Sequence, residues 1–149
     1  MNRIALHFPR WAKAVLYGNI LLSLATGSLW FVLHRWFQIE GDFGPEKQPL
    51  EPWLMKAHGA SAFLILIGFG YLLASHIHIG WRSKRNRALG IALLSTLVLL
   101  ILTGYLLYYA SGEGLRESVS WTHLALGLSL PVTLGLHVWW GHRRRTARG

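Results

Sequence analysis

Four stretches of this chain, residues 14–33, 57–79, 88–110 and 120–141, are each about 20 or more residues long and almost free of charge. At about 1.5 Å per residue, a helix of this length crosses a hydrocarbon core ~30 Å thick. The expected fold class is all-α: an integral membrane four-helix transmembrane bundle, one membrane domain over residues 1–149. Composition agrees, with 52% hydrophobic and only 14% charged residues. Arg3, Arg10 and Lys13 precede the first span as they would a signal peptide. That span is long and no small-x-small cleavage site follows closely, so it is expected to be retained.

A net charge of +9 in a soluble chain would suggest nucleic acid. Here the charges sort by side. Arg3, Arg10, Lys13, Arg82, Lys84, Arg85, Arg87, Arg143, Arg144, Arg145 and Arg148 fall on one side of a four-span arrangement with no acid among them. All six acids, Glu40, Asp42, Glu46, Glu51, Glu113 and Glu117, fall on the other, with Arg35, Lys47, Lys56 and Arg116. The positive-inside rule then puts both termini in the cytoplasm of a multi-pass membrane protein, and no nucleic-acid partner is expected. The eight tryptophans lie close to the span ends, where indole rings favour the interface. No cysteine is present, which excludes disulfides, thiolate-held iron–sulfur clusters and covalently attached c-type haem.

The connection from His34 to Lys56 is the only long one, and Pro45, Pro49 and Pro52 make it unsuited to continuous helix. It is the best candidate for a docking surface. The other two connections are short, so consecutive spans should be antiparallel neighbours. Thr26-Gly27-Ser28-Leu29 in the first span and Thr103-Gly104-Tyr105-Leu106 in the third form a faint internal echo, each preceding a span with a histidine near both ends.

Those histidines are His58 and His76 in the second span, His123 and His137 in the fourth. Imidazole is the usual axial ligand for non-covalently held haem, and a low-spin electron-transfer haem needs one on each face. On an ideal helix His58 and His76 face the same way ~27 Å apart, and His123 and His137 lie within ~40° of one another ~21 Å apart. Both spans run in the same direction, so His58 is level with His123 and His76 with His137. Two haem b groups, one per pair, are the expected cofactors, with the four histidines as iron ligands. The intervals differ by about one turn, and Pro131 would kink the fourth span, which leaves His76 the weakest of the four. His7 and His78 compete with it for the inner position.

Other readings compete. Single histidines in membrane proteins often make interhelical hydrogen bonds or sit in interfacial water, the reading favoured for His7, His34, His78 and His142. Asn19 and Ser23 fit contact with a haem edge or a quinone and fit polar helix packing equally well. The absence of Asp, Glu, Lys and Arg inside any span argues against a transporter. Two alternatives to electron transfer are a haemless membrane anchor for a larger complex and a histidine-based zinc- or copper-handling protein. The missing thiols and in-span carboxylates disfavour the latter.

The chain resembles the bacterial di-haem b-type cytochromes, the cytochrome b561-like group that includes membrane subunits of respiratory formate dehydrogenases and hydrogenases. The residues that carry the likeness are His58-Gly59, the His76 to Arg87 stretch (HIHIGWRSKRNR), Thr103 to Tyr109 (TGYLLYY), His123 with Gly127, and His137. It covers nearly the whole chain beyond residue 14. The resemblance implies two haems in a four-helix bundle that relays electrons between a periplasmic or membrane redox partner subunit and quinone or another membrane component. It also implies an electron-transfer subunit of an oxidoreductase complex rather than a stand-alone enzyme. Several relatives place an inner ligand at the start of the first span in an Arg-rich Leu-His-Trp context. Here that place reads Ala5-Leu6-His7-Phe8-Pro9, and Pro9 suits a helix-embedded ligand poorly.

Overall fold

The computed structural model describes residues 9–77 and 87–146. It contains four long helices: α1 (Arg10–Trp36), α2 (Glu51–Leu72), α3 (Arg87–Tyr109) and α4 (Glu113–Thr146). Each is long and apolar enough to cross a membrane, so the all-α expectation holds and the chain is a multi-pass membrane protein. The chain divides after His76 into two compact units. In the first α1 packs on α2, and in the second α3 packs on α4.

The helices overrun the apolar stretches, for local reasons. Pro9, extended at φ −61° and ψ 150°, sets the start of α1 and accepts the Lys13 N–H at 3.2 Å. The 27 residues of α1 span about 40 Å, which carries Trp11 and Trp36 beyond the hydrocarbon to the interface. Six residues ahead of the expected span, α2 begins at Glu51, whose negative charge suits a helix N-terminus, and Pro52 fits the first turn because its missing N–H would have no intrahelical partner. Between α3 and α4 only residues 110–112 intervene, and Gly112 turns the chain at φ +108°, a conformation an L side chain would strain.

The long connection is ordered rather than irregular. Strands β1 (Ile39–Gly41) and β2 (Gly44–Glu46) pair antiparallel with Ile39 opposite Glu46, and Gly44 leaves the turn at φ +118°. Phe43 at the tip is fully exposed.

The helix seams are polar where the outer faces are apolar. In the first unit Thr26, Glu51, Leu54, Ser61 and Phe69 are buried, while Val15, Leu21, Phe63 and Ile67 are exposed. In the second Thr103, Val119 and Leu130 are buried and Leu102 and Val132 exposed. Lipid is as apolar as leucine, so association of membrane helices relies on close packing of small residues and hydrogen bonds, and a bilayer environment suits this arrangement. The seam hydroxyls are satisfied: Ser61 donates to the His58 carbonyl at 2.8 Å, and Asn19 Nδ2 crosses from α1 to the Ser61 carbonyl at 2.9 Å.

Two features depart from ideal helix. α2 gives way at Leu73 to a π turn, Leu73–Ile77, which carries His76. A π turn holds an extra residue, so His76 is rotated from its ideal-helix position by up to about 100°, and the simple alignment with His58 does not carry through. α4, in contrast, runs as one 34-residue helix through Pro131. Flanking it, Thr133 Oγ1 donates to Ser129 O at 2.9 Å and Ser129 Oγ to Leu126 O at 2.8 Å.

Candidate functional site

The same arrangement recurs in both units. On α1, Thr26 Oγ1 donates to Leu22 O at 2.7 Å and lies 3.2 Å from Ser23 O; on α3, Thr103 Oγ1 donates to Leu99 O at 2.7 Å and lies 3.2 Å from Leu100 O. Both threonines are buried. Each is followed by a glycine that faces a histidine of the neighbouring helix, Gly27 facing His58 and Gly104 facing His123. The Thr-Gly echo in the sequence is therefore a repeated structural step, each presenting a helix surface to an imidazole.

The hydrogen bonds fix the state of each ring. His58 Nδ1 is 2.9 Å from the Ser23 carbonyl, which can only accept, so Nδ1 carries the proton. His123 Nδ1 is 2.8 Å from Thr103 Oγ1, whose own hydrogen is committed to Leu99, so Nδ1 is again the donor. In the neutral ring the basic nitrogen is then Nε2. A histidine ligand held by its Nδ1–H on a carbonyl or hydroxyl, with Nε2 as the donor to metal, is a recurrent pattern in metalloproteins.

The two steps differ in tightness. A Cβ on Gly27 would lie 2.8 Å from His58 Cε1 and 2.9 Å from its Nδ1, closer than real side chains approach, whereas on Gly104 it would lie 3.5 Å from His123 Cε1. His58 thus sits hard against α1, beyond the Thr26 hydroxyl (3.5 Å) and onto the backbone. Ser23 contributes its carbonyl, with its hydroxyl 3.4 Å from His58 Nδ1, and Asn19 serves helix packing.

At the far end of the second unit, His137 buries its Nδ1 and faces Gly90, where a Cβ would lie 3.9 Å from Cε1. Gly90 and Gly104 are fourteen residues apart on α3, as are His123 and His137 on α4, so both contacts fall in one antiparallel register. Among the described residues the first unit does not repeat this second rung in the same register: the positions fourteen residues from Gly27 and His58 are Lys13 and Leu72. His76 instead stands exposed in the π turn. Its expected competitors His7 and His78 lie outside the described residues.

His34 has a role that interfacial exposure did not anticipate. It stacks on Trp30 with ring centroids 4.6 Å apart, and its Nδ1 donates at 2.8 Å to Oε2 of Glu51, which is 2% exposed; Gln48 N donates to Oε1 at 3.1 Å. The pair lies two turns along the same α1–α2 register from the Gly27–His58 contact. That register was the signal available in the sequence. His142 turns back onto its own helix, Nδ1 to Val138 O at 2.9 Å.

Gly127 and Gly141, on the same helix as His123 and His137, have no described atom within 4 Å of a Cβ position. Among the described residues no three His, Asp or Glu side chains converge as a metal centre would require. Haem asks less of a protein, because the macrocycle supplies four nitrogens and the chain only the axial two. The ring-fixed histidines and the glycine surfaces under them fit that demand. No protein-family model, curated protein or solved structure matches the chain.

Proposed function

We propose that the chain is a di-haem b-type cytochrome in which His58 and His123 ligate one iron and His76 and His137 the other, each iron drawing one histidine from each helical hairpin. The observation that carries this reading is that both rings are held from Nδ1, His58 on the Ser23 carbonyl and His123 on the Thr103 hydroxyl, which leaves Nε2 as the basic nitrogen of each. A metal-ligating histidine almost always donates its other ring N–H in this way to a carboxylate, carbonyl or water. Haem b, when bound, supplies a one-electron iron couple. The chain's own contribution is to orient the imidazoles, through the Nδ1 hydrogen bonds of His58 and His123. Buried Ser61 and the bonded hydroxyls of Thr26 and Thr103 leave the surroundings of both rings polar but internally satisfied.

In the bacterial inner membrane, with the basic termini cytoplasmic, the assembly would carry electrons across the bilayer between a periplasmic or membrane redox partner and a quinone or another membrane component. The β1–β2 hairpin and its acidic neighbours would then face the periplasm. The test is a reduced-minus-oxidised visible spectrum of the purified chain with quantified haem. The expected result is sharp α-bands and about two haems per chain. His123→Ala should remove one haem and spare much of the other. A colourless protein, or stoichiometric zinc or copper without haem, would overturn the reading.

A further inference from the structure

We propose that Thr103 is a positioning residue that sets the ring state of His123, and that its counterpart Thr26 has no such role toward His58. The inference rests on the di-haem reading only for its consequence, that Nε2 is the nitrogen offered to iron.

Buried hydroxyls in membrane helices commonly bond the carbonyl one turn back, and both threonines do so, which satisfies them as donors without any histidine. What remains on each oxygen is lone-pair capacity. On α3 that capacity meets His123 Nδ1 at 2.8 Å, a full hydrogen bond. On α1 the Thr26 oxygen is 3.5 Å from His58 Nδ1, and the bond goes instead to the Ser23 carbonyl at 2.9 Å. The difference follows from the glycines, since His58 lies far closer to Gly27 than His123 lies to Gly104 and so reaches the backbone. One ring is held by main chain that no substitution removes, the other by a side chain that a single substitution can take away.

The experiment compares full-length Thr103→Val, Thr103→Ser and Thr26→Val with the unaltered chain, using ¹⁵N NMR of the histidine rings without haem and potentiometry with it. In the unaltered chain both His58 and His123 should show the Nδ1-protonated tautomer. Thr103→Val should shift His123 toward the other tautomer and leave the His58 signals in place, which also reports that the fold is intact. Loss of an acceptor behind a metal ligand typically weakens metal binding by 10- to 100-fold, so haem affinity should fall by about tenfold. It also lowers ligand basicity, so one midpoint potential should move positive while the other stays. Thr103→Ser should restore both readouts, and Thr26→Val should change neither. An Nε2-protonated His123 in the unaltered chain, an unchanged ring and potential in Thr103→Val, or an equal response to Thr26→Val would overturn the proposal. A colourless unaltered chain would end the di-haem reading, while the nitrogen spectra would still decide the role of Thr103.

Discussion

At the residue scale, the two ring-holding steps invert each other's sensitivity. His58 depends on a glycine, because a Cβ on Gly27 would intrude to 2.8 Å on ring atoms, while Gly104 leaves 3.5 Å, ordinary contact. Gly27→Ala should therefore displace the His58 ring and destabilise the first hairpin by about 1–3 kcal/mol, the usual scale of overpacking. Gly104→Ala should be close to neutral. Thermal unfolding in detergent together with haem content measures both, and equal losses in the two variants would contradict the difference in tightness. Glu51 offers a second test. Its side chain is 3% exposed and joins His34 to the Gln48 backbone, so Glu51→Ala leaves two donors without their acceptor and should cost about 1–3 kcal/mol. The exposed Lys47 replaced by alanine should cost almost nothing and serves as control. The histidines were legible as residue types at span ends, but the partners that fix their rings, a backbone carbonyl on one side and a hydroxyl on the other, lie across a helix seam that one-dimensional spacing does not encode.

At the element scale, hydropathy located all four helices, and the errors lie at their ends. Helices continue while backbone partners remain, so α1 runs on to Trp36 and α4 to Thr146 after the apolar stretch is over. The β1–β2 hairpin was not foreseen. Pro45 and Pro49 lie in the non-helical part of the connection as expected, while Pro52 falls in the first turn of α2, but the strand pairing depends on Gly44 taking a positive φ, which the residue type permits and does not dictate. The π turn at Leu73–Ile77 was equally invisible, because an extra residue per turn leaves the apolar pattern intact. It makes a distinct prediction. Deleting Ala74 should convert the turn to α-helix and rotate His76 by about 100°. If His76 ligates the second iron, that haem should be lost or spectrally altered with the first unaffected. Two unchanged haems would assign the position to another histidine.

At the scale of the whole molecule, the chain is two helical hairpins, one per compact unit. The proposed ligation takes one histidine from each for every iron, so residues 1–80 and 81–149 produced as separate chains should each enter the membrane yet bind haem only when co-expressed. A haem spectrum from either piece alone would refute the cross-pairing. Since the chain contains no cysteine, sidedness can be read with introduced thiols. Asp42→Cys should react with an impermeant reagent added to the periplasmic face, and Lys13→Cys only after the cytoplasmic face is opened. If the proposed haems are held at these two rungs, the fourteen-residue spacing of the glycines on α3 and of the histidines on α4 has an electrical meaning as well. Those rungs are separated by about 21 Å of a hydrocarbon layer ~30 Å thick. A single electron moved from one level to the other traverses about 70% of the dielectric and so exchanges ~1.6 kcal/mol with every 100 mV of transmembrane voltage. That is enough to bias its occupancy of the two levels more than tenfold, so the energised state of the cell would itself decide at which leaflet the electron rests.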